Sequence, residues 1–180
     1  MNLPNKLTIF RIALVPTMIC FLLCEHIPYH YLIAGAIFAL ASVTDFFDGQ
    51  IARRRNLVTD FGKFADPLAD KILVISALIC FVQLQLVSSV PVIIIFREFM
   101  VTSVRLVAAE QKKVISANIW GKLKTISQIF SIFVVLFSTV SIKLSTIRNI
   151  FIWVSVVFTV ISGIIYMYEN KKFVFAKDKI

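Results

Sequence analysis

The sequence predicts an all-α protein: an integral membrane bundle of six transmembrane helices with a short N-terminal interfacial segment. Three observations carry that expectation. Hydrophobic residues make up 59% of the 180 and charged residues 16%, where an ordinary globular domain has roughly 25% charged. Mean hydropathy is +0.89. The apolar residues, 17 Phe among them, are gathered into long runs with most of the charges between them. A domain of this length has too little interior to hide them, so a bilayer has to act as solvent.

A spanning helix needs about 20 predominantly apolar residues, within a range of roughly 17 to 25. The first run, about 8–24, follows Asn2-Leu-Pro-Asn-Lys-Leu7, which reads as the interfacial lead-in. That run lacks a small-residue cleavage site and others like it follow, so it reads as a span and not as a cleavable leader. The second and third, about 31–52 and 65–86, flank a stretch that begins Arg53-Arg54-Arg55. The fourth, about 90–109, carries Arg97, Glu98 and Arg105, and the fifth, about 118–141, has Lys122 and Lys124 near its start. The sixth, about 147–168, precedes a lysine-rich tail suited to anionic headgroups. No internal repeat interrupts this order, and residues 1–180 read as one membrane domain. Cys20, Cys24 and Cys80 lie inside apolar runs, odd in number and without zinc spacing, and read as small packing residues.

The net charge of +9 would suit nucleic acid if the cations formed one solvated face. They sit instead in the connections between apolar runs, which excludes that class and suits a membrane protein. Eleven lie on one side: Lys6, Arg53 to Arg55, Lys63, Lys112, Lys113 and four lysines from Lys171 onward. The other side has two, Lys143 and Arg148. The positive-inside rule then puts both termini and the 53–63 connection in the cytoplasm, with the protein multi-pass in the plasma membrane.

The chemistry is concentrated in Asp45-Phe-Phe-Asp48-Gly49-Gln-Ile-Ala52-Arg53 and, eight residues on, Gly62-Lys-Phe-Ala-Asp66-Pro-Leu-Ala-Asp70. Spacings of three and four put each acidic pair on one helical face. At 1.5 Å per residue, Asp48 lies ~7.5 Å inside Arg53 and Asp70 ~10 Å inside Lys63, so two antiparallel helices present four carboxylates at similar depth. Four anions there repel one another and are costly to desolvate. Two hard divalent cations, Mg2+ or Mn2+, balance them with oxygen ligands, and a carboxylate-bridged metal pair suits phosphoryl chemistry. Gly49 leaves room for a bulky ligand beside Asp48, and Arg53 offers a forked donor for phosphate. Solubilising acids at helix ends are the bland alternative, and four at paired spacing within apolar segments argue against it.

The pattern Asp-x-x-Asp-Gly-x-x-Ala-Arg-x8-Gly-x3-Asp-x3-Asp resembles the signature of the CDP-alcohol phosphotransferases at every fixed position. Six spans are also that family's architecture. The resemblance implies that Asp45, Asp48, Asp66 and Asp70 ligate two divalent ions. It implies that Asp48, Gly49, Ala52, Arg53 and Gly62 belong to the CDP-lipid site, and that Asp70 is the general base toward the incoming hydroxyl. It also implies a homodimer. Asp60-Phe-Gly62 spells a kinase metal motif, but no companion kinase motif is present, so Gly62 belongs to the phosphotransferase pattern. His26 and His30 read as interfacial.

Looser motifs resemble the bacterial phosphatidylglycerophosphate synthases: Asn2 to Arg11, Asp66-Pro-Leu-Ala-Asp-Lys71, Arg97-Glu98, and Gly121-Lys122-Leu-Lys124-Thr125. That branch implies CDP-diacylglycerol and sn-glycerol 3-phosphate as substrates. Charge supports it, because Arg97, Arg105, Lys122 and Lys124 need an anion or a wet cavity within the membrane. A phosphorylated acceptor is such an anion. Alternatively Arg97 pairs with Glu98 or another helix, and the lysines reach for the interface. Two other functions stay open. The acceptor is inositol phosphate, serine or a phosphatidyl lipid in relatives of the same superfamily, and an acidic cluster also suits a small cation transporter. A transporter is expected to show repeats or broken helices, and the sequence has neither.

Overall fold

The computed structural model describes residues 3–55, 60–110, 119–139 and 144–171, and all the regular structure among them is helical. Six helices follow in order: α1 Leu3–Leu23, α2 His30–Arg55, α3 Asp60–Gln83, α4 Pro91–Glu110, α5 Ile119–Ser138 and α6 Ser145–Glu169. The expected fold class is the one observed. Residues 3–7, read as a lead-in, are the first turns of α1, continuous with the rest of that helix. Several boundaries differ from the apolar runs: α2 continues to Arg55, and α3 already begins at Asp60 and stops at Gln83. Backbone hydrogen bonding does not stop where hydropathy falls, because Arg and Lys are good helix formers.

Among the described residues three helices are both long and apolar enough to cross a membrane unaided: Asn5–Leu23, Ile119–Ser138 and Ser145–Glu169. Within α2 and α3 the apolar stretches among the described side chains are His30–Asp45 and Lys71–Gln83. Large apolar side chains face outward from the bundle, among them Leu40 and Val43 of α2, Ile79 of α3, Phe96 and Phe99 of α4, and Ile164 of α6. This is a membrane protein.

α1 packs on α2 and α3, α5 on α6, and α4 on α6, while α2 and α3 join the two halves through α5. Met18, Leu22, Phe38, Phe81, Ile132 and Val135 are essentially out of solvent at the centre of this packing. Phe38 and Phe133 meet edge to face, with ring centroids 5.4 Å apart. Lipid tails are as apolar as these residues, so close packing and interhelical hydrogen bonds, rather than hydrophobicity, hold the helices together. On α6 the buried Ser155, Thr159, Ser162 and Gly163 form a small-residue face that permits close approach. Three bonds use that proximity. Gln128 Nε2 donates to Thr159 Oγ1 at 3.1 Å, Ser131 Oγ to the Phe151 carbonyl at 2.8 Å, and Arg97 to Ser162 Oγ at 2.6 Å.

The end of α3 is closed by a Schellman turn. The Leu86 amide donates to the Phe81 carbonyl at 2.9 Å and the Gln85 amide to that of Val82 at 3.0 Å. Gln85 takes the left-handed position, φ 55°, where glycine is the usual choice. The turn sends the chain back toward α4, so α3 and α4 run antiparallel.

Candidate active site

α2 carries Asp45, Asp48, Gly49, Ala52 and Arg53 in its second half, and α3 carries Gly62, Asp66 and Asp70 in its first half. Consecutive helices thus bring both halves of the aspartate pattern to one end of the bundle. The side chains of Asp48, Ala52, Arg53, Asp66 and Asp70, with Gly49 and Gly62, lie outside the described residues. Asp45 is described. Its Oδ1 lies 2.6 Å from Nη1 of Arg11, a residue of α1 that is fully buried, while the Asp45 side chain is 40% exposed.

Arg11 is the site residue that sequence reasoning passed over. Arg11 falls inside the first apolar run, away from the cations of the connections. The available signal was its depth, since an intramembrane Arg calls for an anion. The pairing makes α1 part of the site: a guanidinium held out of solvent fixes the orientation of a carboxylate that solvent can still reach.

A second polar cluster lies between α4, α5 and α6. Glu98, buried, accepts from Nη1 of Arg97 at 3.2 Å and forms an ion pair with Lys124 of α5. Arg97 is held at its other nitrogen by Ser162. Gly163 makes room for this arrangement, since a Cβ there would stand 3.0 Å from Arg97 Cγ. Two cations share one carboxylate, so the triad keeps one positive charge in excess. Lys71, next to Asp70 in sequence, donates to Thr102 of α4, and Thr102 Oγ1 donates to the Glu98 carbonyl at 2.7 Å. This chain of contacts ties the helix of Asp66 and Asp70 to the triad.

The four residues expected to receive an acceptor phosphate are therefore not all together. Arg97 and Lys124 meet through Glu98, which realises the pairing alternative for Arg97. Arg105 is exposed, with its guanidinium carbon 5.6 Å from the centroid of the Tyr166 ring. Lys122 is exposed on α5.

A six-helix membrane bundle that carries the aspartate pattern on two consecutive helices, with a buried arginine against Asp45, defines a class of integral membrane protein. Comparison with known proteins narrows the class. The family model for CDP-alcohol phosphatidyltransferase matches residues 1–161, and the chain belongs to that family of enzymes. It is similar to the CDP-diacylglycerol–glycerol-3-phosphate 3-phosphatidyltransferase of Bacillus subtilis, 43% identical with 94% of this chain and 95% of that protein covered. Proteins of the same name from Rickettsia bellii, 38% identical over 96% and 97% of the two chains, and Haemophilus influenzae, 37% identical over 73% of each, are similar too. Membership in an enzyme family leaves the transporter reading without support.

Proposed function

We propose that this chain transfers the phosphatidyl group of CDP-diacylglycerol to sn-glycerol 3-phosphate, giving phosphatidylglycerophosphate and CMP. The observation that carries the reading is the complete aspartate pattern, Asp45 to Asp70, placed on two consecutive helices of a membrane bundle. Similarity along nearly the whole chain to relatives bearing that activity in their names supports the choice of acceptor.

The donor set suits a hard divalent ion, since it is all carboxylate, and the one described member, Asp45, is oriented by Arg11 yet open to solvent. Two Mg2+ or Mn2+ ions held by Asp45, Asp48, Asp66 and Asp70 would offset the four charges and lend Lewis acidity to the diphosphate. Arg53 binds a phosphate oxygen, and Gly49, Ala52 and Gly62 leave room for the cytidine end. Asp70 accepts the proton of the glycerol phosphate hydroxyl. That oxygen forms a bond to the phosphorus bearing the lipid, the bond from this phosphorus to the bridging oxygen breaks, and CMP leaves. Positioning and fixed charge supply most of the acceleration. The excess positive charge of the Arg97, Glu98 and Lys124 triad, with Arg105 and Lys122 nearby in sequence, attracts the acceptor's phosphate.

Incubating purified protein with CDP-diacylglycerol and a panel of acceptors, while following CMP release, tests the assignment. Glycerol 3-phosphate is expected to react and unphosphorylated glycerol to be poor. Arg105→Ala and Lys122→Ala, which change exposed residues, should each raise the acceptor KM about 10- to 150-fold, the effect of losing a charge-assisted hydrogen bond worth roughly 1.5–3 kcal/mol. CDP-diacylglycerol affinity should barely move. Lys124→Ala also takes a partner from buried Glu98, so its stability has to be measured beside its KM. If all three variants keep the parent KM, or glycerol serves equally well, another acceptor of the superfamily is the better reading.

The positive-inside pattern supports a site that faces the cytoplasm, with both termini, across the plasma membrane. A Lys63→Cys variant should resist membrane-impermeant thiol reagents added to intact cells; ready labelling would reverse the orientation. A homodimer follows from the family resemblance.

A further inference from the structure

At the end of the bundle away from Asp45, a cavity of about 620 Å3 lies between the α3–α4 connection and the first turns of α6. Its walls carry Gln85, Ser88, Ser89, Arg148 and Asn149, and no acidic residue among the described residues. Arg148 is half-buried. Its Nε is out of solvent contact and meets no hydrogen-bond partner among the described residues. A buried guanidinium donor without an acceptor is costly, and the hydroxyls and side-chain amides of Gln85, Ser88, Ser89 and Asn149 can donate alongside it. The cavity is built to receive an anion rich in acceptor oxygens.

A second hollow, about 680 Å3, adjoins it and shares Asn149 and Trp153. It is apolar and continues along α6 past Ile150, Val154, Val157 and Phe158. From Thr146 to Phe158 the helix rises roughly 18 Å, comparable with the roughly 15 Å depth of one leaflet's hydrocarbon. Donors and a cation lie at the helix end and an apolar trough runs inward from them, with Trp153 at the junction. That order matches one molecule with a charged phosphodiester head and an acyl chain.

We infer that these two hollows form one binding site for an anionic phospholipid, separate from the site of the aspartates. A small anion makes no use of the trough, and a zwitterionic lipid offers the same phosphate but brings an ammonium group into a site that already holds the Arg148 cation. The inference depends on the membrane fold alone and not on the proposed reaction.

Trp153 supplies the readout, because the chain has two Trp and Trp120→Phe leaves it as the sole emitter. The protein is reconstituted in phosphatidylcholine vesicles with a minor fraction of acyl-brominated phosphatidylglycerol or, in parallel, acyl-brominated phosphatidylcholine. Brominated phosphatidylglycerol is expected to quench Trp153 as though enriched roughly ten-fold at the site, the effect of one charge-assisted contact. Arg148→Gln should bring the two lipids to equal quenching, and Arg148→Lys should keep most of the preference. Equal quenching in the parent protein, a reading that needs no Arg148 variant to fold, would overturn the inference. So would a preference that survives Arg148→Gln, or one abolished by millimolar inorganic phosphate, which would make the occupant a small anion.

Discussion

Excess chelator is expected to stop CMP release from the purified protein, and added Mg2+ or Mn2+ to restore it. The loss should reach at least about 10^3-fold, since divalent ions at phosphoryl centres contribute several kcal/mol. The argument is electrostatic. Two like charges 4 Å apart repel by about 4 kcal/mol at an effective dielectric of 20, and the sequence places four carboxylates on neighbouring helices. Arg11 supplies one opposing charge at Asp45, which leaves a large negative excess. Full turnover in excess chelator would remove divalent ions from the reaction.

Asp70→Asn should lower turnover about 10^2- to 10^4-fold, the usual contribution of a general base, while CDP-diacylglycerol affinity falls far less. The amide keeps the shape and an oxygen ligand and loses the proton acceptor. Asp45→Ala should behave differently, weakening divalent-ion and CDP-lipid binding together. It also removes the anion 2.6 Å from a guanidinium that is fully buried, so a loss of stability of about 1–3 kcal/mol should accompany it. Asp45→Asn is the milder control. The comparison requires kcat, CDP-lipid Kd and thermal unfolding for the three variants. Near-parental turnover in Asp70→Asn would place the base on another residue.

The fold was legible because two signals agree along the chain: apolar runs of spanning length and cations in the connections. What hydropathy could not give was where α2 ends and α3 begins, since Arg53 to Arg55 and the stretch from Asp60 are polar yet helical. The acidic pattern was legible because its members are three and four residues apart, so local helical geometry alone groups them. Arg11 was not. Its pairing with Asp45 joins α1 to α2 across 34 positions and exists only after the helices have packed. Glu98 falls between these cases. Its bond to adjacent Arg97 was foreseeable, whereas its sharing with Lys124, 26 positions on, was set by the meeting of α4 and α5.

The Arg97, Glu98 and Lys124 triad also bears on how α4 comes to reside in the bilayer. With Arg97, Glu98 and Arg105 within its length, α4 is absent from the helices apolar enough to cross alone. An Arg, Lys or Asp at the centre of an isolated span costs roughly 2.5–3.5 kcal/mol, more than a few leucines can offset. In the bundle Glu98 faces Lys124, Arg97 faces Ser162, and the Arg105 guanidinium rests over Tyr166. Every one of those neighbours lies later in the chain, so α4 leaves the ribosome before the groups that solvate it. Its residence in the membrane is a property of the assembled bundle, granted by helices not yet made when α4 is.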